Sequence, residues 1–420
     1  MAELKNLRKS SLALCIILCV TACLWTPRES QSRSPQKAGA QTFDPLPDWR
    51  PTHAPVNAHY TGDKTCSQCH SEGATQLNTP MRRALEPIAE RRLLSQHAQL
   101  TFTQGPFSYS IARRGDQIYY TVTDGKDAIS LPILYAFGQG KVAQTYLFQR
   151  DGKFYEGRVS YYGGINGLDL TMGAATATPV SLEGALGRPL SSALVYDCFS
   201  CHATAAVSQG RLQLDKMTPG VSCEGCHGPG EKHTLAMKSR GESRTRGEAV
   251  SEGTEKYIFN PGRFDTEGLT QFCGACHRSW IQVRMMGARG VETVRFQPYR
   301  IFNSKCYDHQ DHRISCAACH NPHEELRTDA AYYDAKCLAC HQISQASQGL
   351  PQGKPQPAWP QASQNAPRKQ TVSAKSAPTC PKARQDCASC HMPKTELPGA
   401  HYKFTDHRIR IARPGEPYPN

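Results

Sequence analysis

Seven times in 420 residues the chain reads Cys-x-x-Cys-His, starting at Cys66, Cys198, Cys223, Cys273, Cys316, Cys337 and Cys387. This repetition restricts the fold more than any other feature. It uses fourteen of the 19 cysteines and leaves Cys15, Cys19, Cys23, Cys306 and Cys380. Paired cysteines can hold zinc, but zinc sites place their histidines further downstream. Here a His follows every pair directly, and with 16 histidines in the whole chain seven such coincidences are excluded. The pattern is that of c-type haem attachment. Two thioethers hold the haem vinyl groups, and the adjoining His ligates the iron from one side.

The expectation is therefore seven covalently attached haems c, each with its iron. Their attachment sets are Cys66, Cys69 and His70; Cys198, Cys201 and His202; Cys223, Cys226 and His227; Cys273, Cys276 and His277; Cys316, Cys319 and His320; Cys337, Cys340 and His341; and Cys387, Cys390 and His391. Hydrophobic residues make up only 39% of the chain, and Gly and Pro are abundant. Such a chain needs another source of apolar surface, and large apolar haem plates supply it. Five motifs crowd into residues 198–341, too little chain to wrap each haem separately. The fold class expected is short α-helices and loops around covalently bound haems, with haems sharing walls, plus a small antiparallel β subdomain.

A formal net charge of +13 invites a nucleic-acid or membrane reading. Removing Lys5, Arg8, Lys9 and Glu3 with the first 22 residues lowers it to +11. Two propionates on each of seven haems would bring the whole to about −3. The basic excess reads as counter-charge to propionates, and no nucleic-acid partner is expected.

Along the chain, residues 1–22 read as an export signal, with a basic start and a Leu12–Val20 apolar run too short to span a bilayer. Val20-Thr21-Ala22-Cys23 resembles a bacterial lipobox, which implies a lipid anchor at Cys23. Residues 23–60 read as a flexible tether and 61–100 as the first haem segment, with a helix from about Met81 to Leu100. In 101–165 strand-like alternation and the turns Arg114-Gly115-Asp116 and Arg150-Asp151-Gly152-Lys153 mark the β subdomain. Residues 166–343 form the packed segment of haems two to six. Residues 344–379 are a low-complexity linker, and 380–420 carry the seventh haem with further histidines. Outside the cytoplasm spare cysteines often pair, so a Cys306–Cys380 disulfide would tie this last segment to the rest.

Nine histidines lie outside the motifs: His53, His59, His97, His233, His309, His312, His323, His401 and His407. Dense His beside dense Cys-x-x-Cys-His argues for mostly bis-His haems. His233, His312, His323, His401 and His407 are the leading second ligands, with His97 or Met81 for the first haem. His233 and His323 follow their own motifs too closely to reach the far face of the same haem, so each is expected on a neighbour. The stretch from Asp311 to His323 then helps to fix up to three haems.

Three stretches carry a family resemblance: Cys223-Glu-Gly-Cys-His-Gly-Pro-Gly-Glu-Lys-His233, Cys316-Ala-Ala-Cys-His-Asn-Pro-His323, and Cys387-Ala-Ser-Cys-His-Met-Pro-Lys394 with Phe404-Thr-Asp-His-Arg-Ile409. They resemble the multihaem cytochrome c superfamily, which includes the tetrahaem carrier of nitrifying bacteria, octahaem hydroxylamine oxidoreductases and pentahaem nitrite reductases. The resemblance spans roughly 61–100 and 195–410. It implies downstream histidines acting as ligands to other haems, in support of His233 and His323. The Cys-x-x-Cys-Lys motif common at nitrite reductase catalytic haems is absent from the sequence.

The function expected is electron transfer through closely packed haems in the periplasm or at the cell surface, by a membrane-anchored lipoprotein. Its partners would be redox proteins or membrane quinol-linked donors. The alternative is an oxidoreductase acting on a small nitrogen or sulfur compound at one open haem, with that of Cys66 to His70 the candidate.

Overall fold

The computed structural model describes residues 59–86, 92–245, 257–308, 313–341, 380 and 383–420. The signal, most of the tether, the 344–379 linker and His53, His309 and His312 lie outside these residues.

Eleven strands account for most of the sheet structure: β1 (Leu85–Glu86), β2 (Gln99–Gln104), β3 (Phe107–Arg114), β4 (Gln117–Thr123), β5 (Ala128–Pro132), β6 (Tyr135–Phe137), β7 (Ala143–Arg150), β8 (Lys153–Gly157), β9 (Val159–Tyr162), β10 (Gly167–Leu170) and β11 (Gly187–Pro189). β2-β3-β4-β5 form one antiparallel meander. β1-β6-β7-β8-β11 form a second sheet, with β9 bridging β7 to β10. The β3–β4 turn sits at Gly115 and the β7–β8 turn at Asp151–Gly152, where the turn residues lie in the sequence.

Alternation explains why the sheets meet. In β4, Ile118, Tyr120 and Val122 are buried and their neighbours less so. They share one core with Tyr109 and Ile111 of β3 and with Tyr146, Phe148, Val159 and Tyr161 of the second sheet. Tyr120 lies 4.9 Å from Phe148, ring centre to ring centre, and its hydroxyl accepts the Val159 N–H at 3.3 Å.

β7 is buried on both faces, which is why its middle loses the alternation. Tyr146 and Phe148 face the sandwich core, while Leu147 packs with Phe137, Val195 and Phe199. Val195 and Phe199 belong to helix Ser192–His202, which carries the second motif. The sheet structure therefore reaches beyond 101–165, from β1 to β11, and one of its faces seats a motif.

The described residues of 81–100, 81–86 and 92–100, do not form the single helix suggested by their alternation. Met81 to Ala84 turn, with the Ala84 N–H donating to the Met81 carbonyl at 3.1 Å. Leu85 and Glu86 then pair with Phe137 and Ala136. Arg92–Gln96 is helical, and β2 begins at Gln99. Edge pairing that buries Leu85 beneath Phe199 wins over a solvated helix.

Beyond the sheets the chain is short helices and turns around much smaller apolar clusters, such as Phe259, Leu269 and Phe272, or Val294, Leu397 and Ala400. Among the described residues no helix is long and apolar enough to cross a membrane.

Candidate haem sites

The seven motifs use two kinds of local structure. The second, fourth and sixth lie at the ends of longer helices: Ser192–His202, Thr266–His277 and Ala330–Leu338. Each of these has its own N-cap: Ser191 accepts from Leu194 N–H, Asp265 from Gly268 and Asp329 from Ala331. The first, third, fifth and seventh are single turns: Asp63–Cys66, Cys223–His227, Cys316–Cys319 and Cys387–His391. In these four the cap residue's own side chain makes no capping bond.

Motif cysteines meet across motifs. Cys66 lies beside Cys223, Cys201 beside Cys276, Cys273 beside Cys316, and Cys337 beside Cys387. Cys226 and Cys273 pack on the same aromatic cluster, and Cys319 lies in the electrostatic reach of Cys337. The contacts link the motifs in the order first, third, fourth, fifth, sixth, seventh, with the second joined at the fourth. Cys306 is a half-buried thiol near Cys337 and Cys340, and Cys380 is exposed.

Three motif histidines face a non-motif histidine. The ring centres of His70 and His233 are 6.3 Å apart, those of His227 and His323 are 5.9 Å apart, and those of His320 and His407 are 6.1 Å apart. An iron held by two imidazoles, at about 2 Å on each side, sets ring centres roughly 6 Å apart. In all three pairs the second His comes from a different part of the chain than the motif it faces.

The second ring nitrogens are also engaged. Nδ1–H donates to the Ala84 carbonyl from His202, to Phe259 from His227, to Arg410 from His391 and to Thr405 from His407, all at 2.9–3.0 Å. This bond fixes the tautomer and leaves Nε2 as the metal-binding lone pair. Burial holds His202, His227, His277, His320 and His323 below the ordinary 6.5, and His407 down to about 4, aided there by the neighbouring His320. Neutral imidazole is the form that ligates metal. Among the described residues no three His, Cys, Asp or Glu side chains converge as a zinc-type cluster. The donor set fits haem: paired cysteines, an adjoining His and, in three cases, a second His facing it.

Buried carboxylates place these histidines. Glu224 lies inside the third motif. Its Oε1 accepts from the N–H groups of Thr61 and Gly230 and its Oε2 from Gly62, each at 2.8 Å. It thereby ties the entry of the first motif to the turn before helix Glu231–Thr245, which carries His233. Asp406 is paired with Arg300, both side chains 0% exposed, and with Arg410 at 2.7 Å. This pins His407 opposite His320. None of these carboxylates is apparent as functional in the sequence. The available signals are the Glu inside a Cys-x-x-Cys and the Asp-His-Arg-Ile element at Asp406.

The other candidates sit elsewhere. His97 lies against Tyr161 at 5.4 Å, because the turn and β1 replace the expected helix. His401 Nε2 bonds Asp169 Oδ2 at 2.7 Å, and its ring stands edge-on to Tyr162. Gly164 makes that approach feasible, since a Cβ there would be 2.1 Å from the His401 carbonyl. Met81 gives its carbonyl to the Val221 N–H, and the exposed His59 gives its carbonyl to Glu231. At the first motif, expected to hold a haem with an open face, His233 lies opposite His70.

A family profile described as Cytochrome c554 and c-prime matches residues 185–228, which contain the second and third motifs. The match supports a c-type cytochrome. The family implies covalently bound haem c. This cytochrome matches no curated protein and no solved structure. The matched segment of the cytochrome runs from the end of helix Leu182–Leu186, through β11 and helix Ser192–His202, to the Glu224 turn.

Proposed function

We propose that this cytochrome is a seven-haem electron-transfer protein, with short helices and loops folded around mostly bis-His haems. The observation that carries the reading is the set of three imidazole pairs at 5.9–6.3 Å. One-electron exchange is the chemistry that bound haem supplies. The chain's own residues hold the rings, keep them neutral and fix their tautomers. Cysteine contacts between motifs support short steps between neighbouring haems, with a branch at the fourth motif.

On this reading the protein is exported, anchored through lipid on Cys23, and exchanges electrons with redox proteins or quinol-linked donors at the membrane. The support is the basic start, the short apolar run and the lipobox-like sequence. The intact mass and low-temperature EPR spectrum of the purified holoprotein test the proposal. Seven haems with low-spin ferric signals are expected. Fewer haems, or a high-spin signal that shifts on adding nitrite or hydroxylamine, would overturn it.

A further inference from the structure

The four single-turn motifs lack a capping side chain of their own, and three of them receive one from another motif. Asp63, three residues before Cys66, accepts the Cys223 N–H at 3.1 Å, at the start of the third motif. Glu224, inside the third motif, returns the contact by accepting Thr61 and Gly62 N–H at the start of the first. Asp334, three residues before Cys337, accepts Asp386 N–H at 2.7 Å and Cys387 N–H at 2.8 Å, at the start of the seventh. At the fifth motif, Thr270, three residues before Cys273, lies beside Cys316 and donates its hydroxyl to the Thr266 carbonyl at 2.7 Å.

The position three before the first cysteine therefore recurs at the first, fourth and sixth motifs. Each time it meets the first cysteine of a different motif. The pairs formed are the first with the third, the fourth with the fifth, and the sixth with the seventh. The same pairs bring first cysteines into contact. A carboxylate at a helix N-terminus satisfies free N–H groups and favours the local dipole. Here it also fixes the register of two attachment turns and leaves a negative charge between them.

We infer that Asp63, Glu224 and Asp334 are positioning residues that cap a partner motif's attachment turn, set the geometry of haem pairs, and hold the potentials of those haems down. The inference rests on the proposed seven-haem reading. Asp334 gives the cleanest test, because Asp63 also pairs with Arg82 at 2.9 Å.

Full-length holoprotein carrying Asp334→Asn or Asp334→Ala would be compared with wild type and with Asp127→Asn, a control on the β4–β5 turn. Intact mass, redox titration and EPR are read together. Asp334→Asn keeps an acceptor for one N–H and loses the charge, so seven haems remain and two of the seven midpoint potentials shift upward. Asp334→Ala, which removes both N–H acceptors at the seventh motif, shows the same shift. Loss of the seventh haem alone, with six retained, also supports the inference. Seven unchanged potentials in both variants, or an even loss of haem across all motifs, would overturn it. Wild-type protein with fewer than seven haems would instead overturn the proposed function.

Discussion

Asp406→Asn is expected to loosen the C-terminal segment and release His407. Asp406 takes two bonds from Arg300, at 2.8 and 2.9 Å, one from Arg410 at 2.7 Å, and the Arg408 N–H at 3.0 Å. Removing one partner of a buried ion pair costs about 3–5 kcal/mol, because the other charge is left uncompensated. Asn retains an oxygen for one Arg300 bond, and Arg300 keeps the Thr293 hydroxyl and the Pro419 carbonyl. The cost therefore sits near the lower end, about 3 kcal/mol, which is on the order of a hundredfold in a local opening equilibrium. Hydrogen exchange of the peptide around Arg408 and Ile409 reads this directly, since the Ile409 N–H donates to Ser304 Oγ at 2.8 Å. Exchange there should rise about a hundredfold while that of β3 and β4 stays unchanged. The low-spin signal of the haem proposed to lie between His320 and His407 should weaken in parallel. Burial alone would raise the Asp406 carboxyl, but Arg300, the Arg408 N–H and Arg410 outweigh it and hold it below the ordinary 3.8. A depressed carboxylate gives stability that is present above 3.8 and lost as pH falls through the folded value. The gap between wild type and variant should therefore close in acid below about pH 4. Unchanged exchange at Arg408 and Ile409 at neutral pH would refute the reasoning.

Two further outcomes follow from the same contacts. His233→Ala should leave the other haems untouched and convert one low-spin ferric signal to high spin; a spectrum identical to wild type would mean that His233 does not ligate the haem of His70. Apoprotein made without haem attachment should yield, on limited proteolysis, a resistant fragment covering roughly 92–190, because the sandwich core is self-contained; digestion of that region as fast as residues 257–341 would contradict this.

The motifs were legible because covalent haem attachment needs a fixed five-residue spelling, whatever the fold. The hairpins at Gly115 and Gly152 were legible for a similar reason, since a tight turn restricts its residues locally. His233, His323 and His407 stand out by their density, but the ring each one faces does not. That pairing depends on contacts such as Glu224 with Thr61, 163 residues apart, and Arg300 with Asp406, 106 apart. Residues 81–100 misled for the opposite reason. Their alternation suits a solvated helix, and what decides is a strand partner, Ala136 and Phe137, that local pattern cannot reveal.

The sandwich side of the molecule bears directly on the ring of the second motif. The Ala84 carbonyl, just before β1, fixes the tautomer of His202. Phe137 of β6 stands edge-on to the same ring at 5.2 Å. Gly220, at φ +77, passes so close to the Arg82 carbonyl that a Cβ there would lie 1.8 Å from it, which locks the stretch before the third motif to the stretch after the first. Apolar clusters around the other motifs hold only a few buried residues each, too little to fix ring positions by packing alone. Orientation there falls to directional bonds: carboxylates on backbone N–H groups and imidazoles on backbone carbonyls. The second motif differs, because a helix packed on a sheet holds its ring from one side by shape. The second motif is thereby supported by a sheet as well as by its own helix, whereas the first, third and seventh are single turns held by carboxylates of another motif.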